Sequence, residues 1–348
     1  MYRISPSLLL PLLLLLTGCG LLTGCGHNDN NPDLSGITVP EIHIERFDTA
    51  FFNLDSNHVR QGLYRLDQAY PDFTGDFVSN ILGAGPLSDT SLLAFEATRE
   101  FLVSYLPISD SLKKKYRRFD WLEKELQQGF RHIKYYFPRY ALPQHVVTFI
   151  GPLDGPGVAI TAHDLAVGLQ AYAGKNFYFY LTGKGQDMYP AYISRRFEPQ
   201  YMDANCMSAL AEDIFPDSSD GRPLVEEMVI KGRYWWLAEK LIPDAPDSIL
   251  TGYTQAQLNW CAANEGRIWG YLLQQNVLYA VDPDILKDYI GEGPYTLGMP
   301  EASPGNIGAW VGRQIVRKYV ERHPDIRPVD LMRIPAQTLF EESRYKPR

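Results

Sequence analysis

The residue that most invites chemistry is Glu265, in the stretch T-G-Y-T-Q-A-Q-L-N-W-C-A-A-N-E-G-R-I-W-G-Y-L-L-Q-Q-N-V-L-Y-A-V that fills positions 251–281. Leu258, Cys261, Ala262, Trp269, Leu272 and Leu273 recur at helical spacing and mark one apolar stripe, and Glu265 falls on it. A carboxylate on a core-facing stripe requires a partner, a metal or a raised pKa. A nearby Arg or Tyr would make it a hydrogen-bonding post; without one it becomes a site candidate. A second carboxylate, Glu227, lies in Glu226-Glu227-Met228-Val229-Ile230, within a helix expected over 224–241. Glu227 and Glu265 alone cannot hold a hydrolytic zinc, which needs neutral imidazoles at i and i+4 and a third ligand. There is no H-E-x-x-H and no C-x-x-C, and the seven histidines are scattered. No G-x-S-x-G occurs, and neither Cys206 nor Cys261 has a histidine within several residues. Those two cysteines read either as a disulfide or as two buried thiols on apolar helical faces. Residue types therefore assign no catalytic residue, no metal and no cofactor.

The elements that must position these carboxylates follow from pattern. Thr254 and Gln257 form a capping box that starts the helix leading to Glu265. Helices are expected at 60–70, 90–105, 121–136, 205–214, 283–290, 329–333 and 336–345, with a turn at Tyr70-Pro71-Asp72-Phe73. Another spans 305–322, with Ser303 as N-cap and Pro304 at the first position. Its Gly308 and Gly312 stand four residues apart, which lets another backbone pack unusually close. Val39, Ile42 and Ile44 alternate with polar residues and suggest a strand, on whose polar side His43 is exposed. Strands are also expected at 146–150 and 157–161, joined by a hairpin-like loop at 151–157, and at 176–181. That loop is no phosphate cradle, because no Lys-Ser/Thr follows its glycines. The whole is an α+β fold: a small mixed sheet with a mainly helical C-terminal half, helical from about 204.

The N-terminus reads as an address. Arg3 precedes an apolar run at 8–16, broken only by Pro11 and too short to cross a bilayer. Leu16-Thr17-Gly18-Cys19 then matches a lipobox, and the hexapeptide L-L-T-G-C-G recurs without change at 15–20 and 21–26. Cys19, directly after the apolar run, is the favoured lipidation point and Cys25 the second. Residues 1–18 (or 1–24) are thus expected to be a signal peptide, 19–36 a tether and 37–348 a single domain. Diacylglycerol and palmitate on one cysteine would anchor the chain without a spanning helix. A net charge of −8 leaves nothing to offset nucleic-acid phosphates. The basic cluster Lys113, Lys114, Lys115, Arg117 and Arg118 reads as a solvated helix face or a contact for anionic lipid. Aromatics make up 13% of the chain, enough for broad half-buried contact surfaces.

Several long segments, taken together, resemble one family. G-Y-T-Q-A-Q-L-N-W-C-A-A-N-E-G-R-I-W-G-Y, L-Y-A-V-D-P, S-P-G-N-I-G-A-W-V-G-R-Q-I-V-R-K-Y, the ending S-R-Y-K-P-R, the early I-H-I-E-R-F-D and the lipobox are similar to the gliding-motility lipoprotein GldB family of Bacteroidetes. The likeness covers essentially the whole chain. It implies a cell-envelope lipoprotein tied to the gliding machinery and its linked secretion system, and it brings no enzymatic activity with it. The family is in turn distantly similar to zinc proteases of the zincin type. In those, the helix around Glu227 would carry H-E-x-x-H, and an acidic residue at Glu265 would be a further ligand. Here Glu226 and Ile230 stand at the histidine positions, so the resemblance implies a degenerate zincin-like scaffold with Glu227 and Glu265 as a relic site. The leading expectation is a non-catalytic, lipid-anchored component of the cell membrane or outer membrane, periplasmic or surface-facing, that contacts envelope proteins. A metal-dependent peptidase with an unconventional site and an envelope glycan-binding protein are the alternatives.

Overall fold

Four short strands make the sheet on which the helices are laid. In the computed structural model, which describes residues 31–88 and 92–348, β1 (Ile44–Glu45), β2 (His145–Phe149), β3 (Val158–Ile160) and β4 (Asp164–Gly168) lie in the order β1-β2-β4-β3. β1 and β4 run parallel to β2, pairing Ile44 with Val146 and Ala166 with Val147, and β3 is antiparallel to β4. All of β4 and all but the first residue of β2 are buried, the state of parallel strands covered on both faces.

Two strand expectations need correction. The 151–157 loop does not close a hairpin, because β4 lies between β2 and β3. The tight connection is instead β3 to β4, where the Thr161 hydroxyl donates to Asp164 (2.9 Å) and accepts from its amide (3.0 Å). The aromatic run at 176–181 is no strand either: Tyr178–Leu181 is a 3-10 turn. Tyr180 is buried there, donates its hydroxyl to the Gln170 carbonyl (2.8 Å) and packs on Phe177 and Phe197. A short apolar run carries no period of its own, so its rings settle where a core will take them.

The helices follow in order. α1 (Phe47–Phe51), α2 (Val59–Ala69) and α3 (Thr74–Asp76), which runs into a π-helical turn at Phe77–Ile81, precede the long α4 (Leu92–Lys115) and α5 (Asp120–Tyr136). After the sheet come the short α6 (Gly183–Met188) and α7 (Ala191–Ser194), then α8 (Met202–Ile214), α9 (Leu224–Leu241) and α10 (Asp247–Thr251). α11 (Gln255–Ala263), α12 (Glu265–Gln274), α13 (Pro283–Ile290), α14 (Ile307–Arg322), α15 (Pro328–Leu331) and α16 (Ala336–Ser343) complete the chain, and no strand follows Met202 among the described residues. Many of the aromatics go into the core: Phe47 meets Phe73 and Phe77 at 4.8 and 4.9 Å, and Phe77 reaches Phe149 of β2 at 6.1 Å. Edge-on packing of this kind adds to the stabilisation from buried area.

The 251–281 stretch is two helices rather than one. Its capping box is present at Thr254 and Gln257, but the chain breaks at Asn264, whose side-chain amide donates to the Trp260 carbonyl (2.8 Å). The break re-aims the predicted stripe. Cys261, Ile268, Trp269 and Leu272 remain buried, Leu273 is 52% exposed, and Glu265 is only partly covered.

α9 and α14 form the close crossing that Gly308 and Gly312 predict. A Cβ on Gly312 would run into the Met228 carbonyl, and one on Gly232 of α9 would strike the backbone of Gly312 and Arg313. Beside this crossing Arg313 is fully buried, and it ties Glu239 of α9 to Asp247 of α10, the latter at 2.7 Å. The α14 N-terminus differs from expectation. The helix begins at Ile307 after Asn306, which is left-handed (φ 56°), while the Ser303 hydroxyl accepts from the Thr296 amide (3.1 Å).

Candidate functional site

On α5 the side chains of Trp121, Glu125, Gln128 and His132 stand three or four residues apart and so share a face. Leu122, Leu126, Phe130 and Ile133 hold the other face in the core. The shared face lines a groove of about 830 Å³, a volume within the usual range for ligand sites. Its other walls are Gln200, Asp203 and Ala204 at the start of α8, and the turn from Leu241 at the end of α9 to Ile249 in α10. Pro243, Pro246 and Ile249 make those walls largely apolar.

Among the polar groups, Glu125 lies near enough to act on Asp203. Burial pushes the Asp203 carboxyl up to about 7, the charge of Glu125 adds to the effect, and the Asp203 Oδ1 is buried without a hydrogen-bond partner. Glu125 opens into the groove, yet desolvation raises its carboxyl too. His132 is 7% exposed, and burial lowers its pKa while the charge of Asp244 acts the other way. Its Nδ1–H donates to the Gln128 carbonyl (3.0 Å), which leaves Nε2 as the acceptor of the neutral ring. The groove thus combines apolar walls, the acids Asp203, Glu125 and Asp244 and a buried imidazole. Such a surface can bind a donor, above all a charged one.

The sequence-predicted carboxylates lie elsewhere and have different neighbours. Glu227 is 6% exposed, and burial raises its pKa against the opposing charge of Lys231, with Asp217 and Asp220 adding to the rise. Glu265 opens α12 and accepts the Tyr345 hydroxyl at 2.8 Å, the hydrogen-bonding post that a tyrosine partner implies. Burial and the Glu265 charge both raise the Tyr345 pKa. Among the described residues no three His, Cys, Asp or Glu side chains gather as metal ligands. Cys206 and Cys261 are free and buried, and burial pushes the first well up and the second up to about 12, so neither supplies a thiolate. Cys19 and Cys25 lie outside the described residues. His43 is exposed beside Glu41 (3.8 Å).

Sequence reasoning missed the groove. The stripe of Trp121, Glu125, Gln128 and His132 was the available signal, a helix face mixing an aromatic, an acid and an imidazole. Asp203 gave none, because its burial depends on segments 40 to 80 positions away.

A family model described as gliding motility protein GldB matches residues 27–347. No curated protein and no solved structure matches the chain.

Proposed function

The chain belongs to the GldB family of gliding motility proteins, and on that premise we propose that it is a lipid-anchored envelope protein that docks protein partners and performs no catalysis. The single observation that carries the reading is the groove between α5, α8 and α10, a recess with apolar walls that Asp203, Glu125 and Asp244 help to line. Recognition sites combine these features: apolar area for affinity and a few polar groups for orientation. No described helix is long and apolar enough to cross a membrane, which supports an anchor through Cys19, with Cys25 as the second lipidation point. Glu227, buried, and Glu265, which accepts the Tyr345 hydroxyl, serve as structural carboxylates.

Site-specific photocrosslinking in living cells tests the docking. A photoreactive residue at Gln128 or Ser248 is expected to give discrete adducts with envelope proteins, while one at the exposed Glu301 gives none. Equal labelling from all three positions, or none from the groove, would sink the docking reading. A second reading, an envelope glycan in the same groove, is favoured by Trp121 with Gln128, Gln200 and Ser248, an aromatic plane bordered by neutral hydrogen-bonding groups.

A further inference from the structure

We propose that the groove receives one basic side chain, arginine or lysine, carried on an extended segment of a partner protein, with the carboxyls of Asp203 and Glu125 as its anchor and Trp121 packing against its stem. The proposal rests on the docking reading above and names the chemistry of what is docked.

Charge complementarity is the first argument. The groove presents Glu125, Asp203 and Asp244 against a single lysine, Lys124, and among the described residues no cation pairs with Asp203 or Glu125. Asp48 and Glu239, by contrast, are met by cations from within the chain. Asp48 is fully buried but bound by Arg46 at 2.7 Å, and Glu239 is met by both Arg313 and Arg317. Asp164, likewise buried, is met by the Thr161 hydroxyl (2.9 Å). Asp203 is partly covered as a residue, but its Oδ1 is buried and nothing donates to it.

Shape is the second argument. A guanidinium or ammonium group on a methylene stem needs apolar walls leading to an acidic end, because such side chains bury their stems and pair their heads. Pro243, Pro246 and Ile249 supply walls, and Trp121, itself 36% exposed, adds an aromatic side chain to the lining. A metal ion fits less well, since a divalent cation takes six or more oxygens and no three-ligand group exists among the described residues. A saccharide fits less well than a basic side chain because the charged groups here outnumber the aromatics.

Thermodynamic linkage supplies a signature. Burial beside Glu125 holds the Asp203 proton up to about 7, so near neutral pH a fraction of the molecules carries it. A bound cation favours the carboxylate, so binding at that pH must release protons. A merely structural role for Asp203 would not produce this.

The test uses the purified full-length chain and three blocked pentapeptides, Ala-Ala-X-Ala-Ala with X as arginine, lysine or citrulline. Isothermal titration near pH 7, in two buffers of different ionisation enthalpy, reads affinity and proton release together. The arginine and lysine peptides are expected to bind at least tenfold more tightly than the citrulline peptide, and with proton release. Asp203→Asn should weaken them tenfold or more and abolish the release, and Glu125→Gln should weaken them several-fold. If Asp203→Asn does not fold, Glu125→Gln and the citrulline comparison decide alone. Equal binding of the citrulline peptide, unchanged affinity in the variants, or binding of N-acetylglucosamine oligomers in place of the peptides would overturn the proposal. Peptide failure with groove crosslinks intact removes only the basic side chain. Loss of both removes the docking reading as well.

Discussion

Asp203 occupies the first turn of α8, where free amides and the helix dipole favour a carboxylate, yet its proton is held up to about 7. Burial without a donor outweighs the dipole, which contributes only about 0.3–1 kcal/mol at such positions. The consequence for stability has a definite sign. The folded-state pKa lies above the ordinary carboxylate value of 3.8, so between roughly pH 4 and 7 the folded protein binds more protons than the unfolded chain. This residue's contribution therefore falls as pH rises through that window, and the penalty is complete above about pH 7. Asp203→Asn removes the titration. Relative to the native protein, the variant should gain stability progressively from about pH 4 to 7 and then hold a constant advantage. Urea unfolding of both proteins at pH 4, 5.5 and 8 checks this, and a difference that does not change with pH would show that Asp203 is an ordinary surface acid. Glu265 makes the opposite case among carboxylates. Its position in the sequence announced the need for a partner, and Tyr345 meets that need from 80 residues away. Residue type could name the class of partner; only the fold could name the residue.

At the scale of elements, the sequence was most informative where one periodic helix carries its own start and stop. The bounds expected for α9 match the structure, and the capping box of α11 stands where Thr254 and Gln257 placed it. Boundaries failed where tertiary contacts decide. The helix breaks at Asn264, β4 enters between two expected hairpin strands, and the aromatic run near Tyr180 turns into the core. Gly308 and Gly312 announced a close crossing, but the third glycine, Gly232, lies on the partner helix and carried no such mark. That crossing can be tested against an internal control. In Gly312→Ala the new methyl meets the Met228 carbonyl, a backbone atom that can move only with its helix. The loss should reach about 3 kcal/mol, the upper end of ordinary overpacking. Gly270 in α12 faces open space, so Gly270→Ala there should stabilise by about 0.5–1 kcal/mol through helix propensity. Chemical denaturation of both variants reads the contrast. If both stabilise, the two helices are not in backbone contact. The groove, by comparison, showed in the sequence only as the mixed stripe on α5, because its other walls come from α8 and the α9–α10 turn.

At the scale of the molecule, the residues from Leu34 to Arg348 form one compact unit, and no helix among its described residues is long and apolar enough to cross a membrane. The family match covers this unit and the segment before it from residue 27. If the chain is held at a membrane through lipid, the holding and the folding are therefore separable, and so are their tests. The repeated L-L-T-G-C-G offers two cysteines at suitable depth. Cys19→Ala alone should leave part of the lipid label on the chain through Cys25, and the double change should remove it all. Two or three acyl chains suffice for stable anchoring, so the double variant should move to the soluble fraction with an unchanged melting temperature. Metabolic labelling with palmitate, followed by fractionation, reads both results. Complete loss of label in the single variant would show that Cys25 is unused, and a membrane-bound double variant would show a hold other than lipid. The groove adds one more discriminating outcome. Anchoring confines the body near envelope partners and raises their effective concentration without altering any contact. The released double variant should therefore bind the arginine pentapeptide with unchanged affinity while losing its crosslinks in cells. If crosslinks persist at full strength after release, the partner is soluble, and docking does not depend on the membrane.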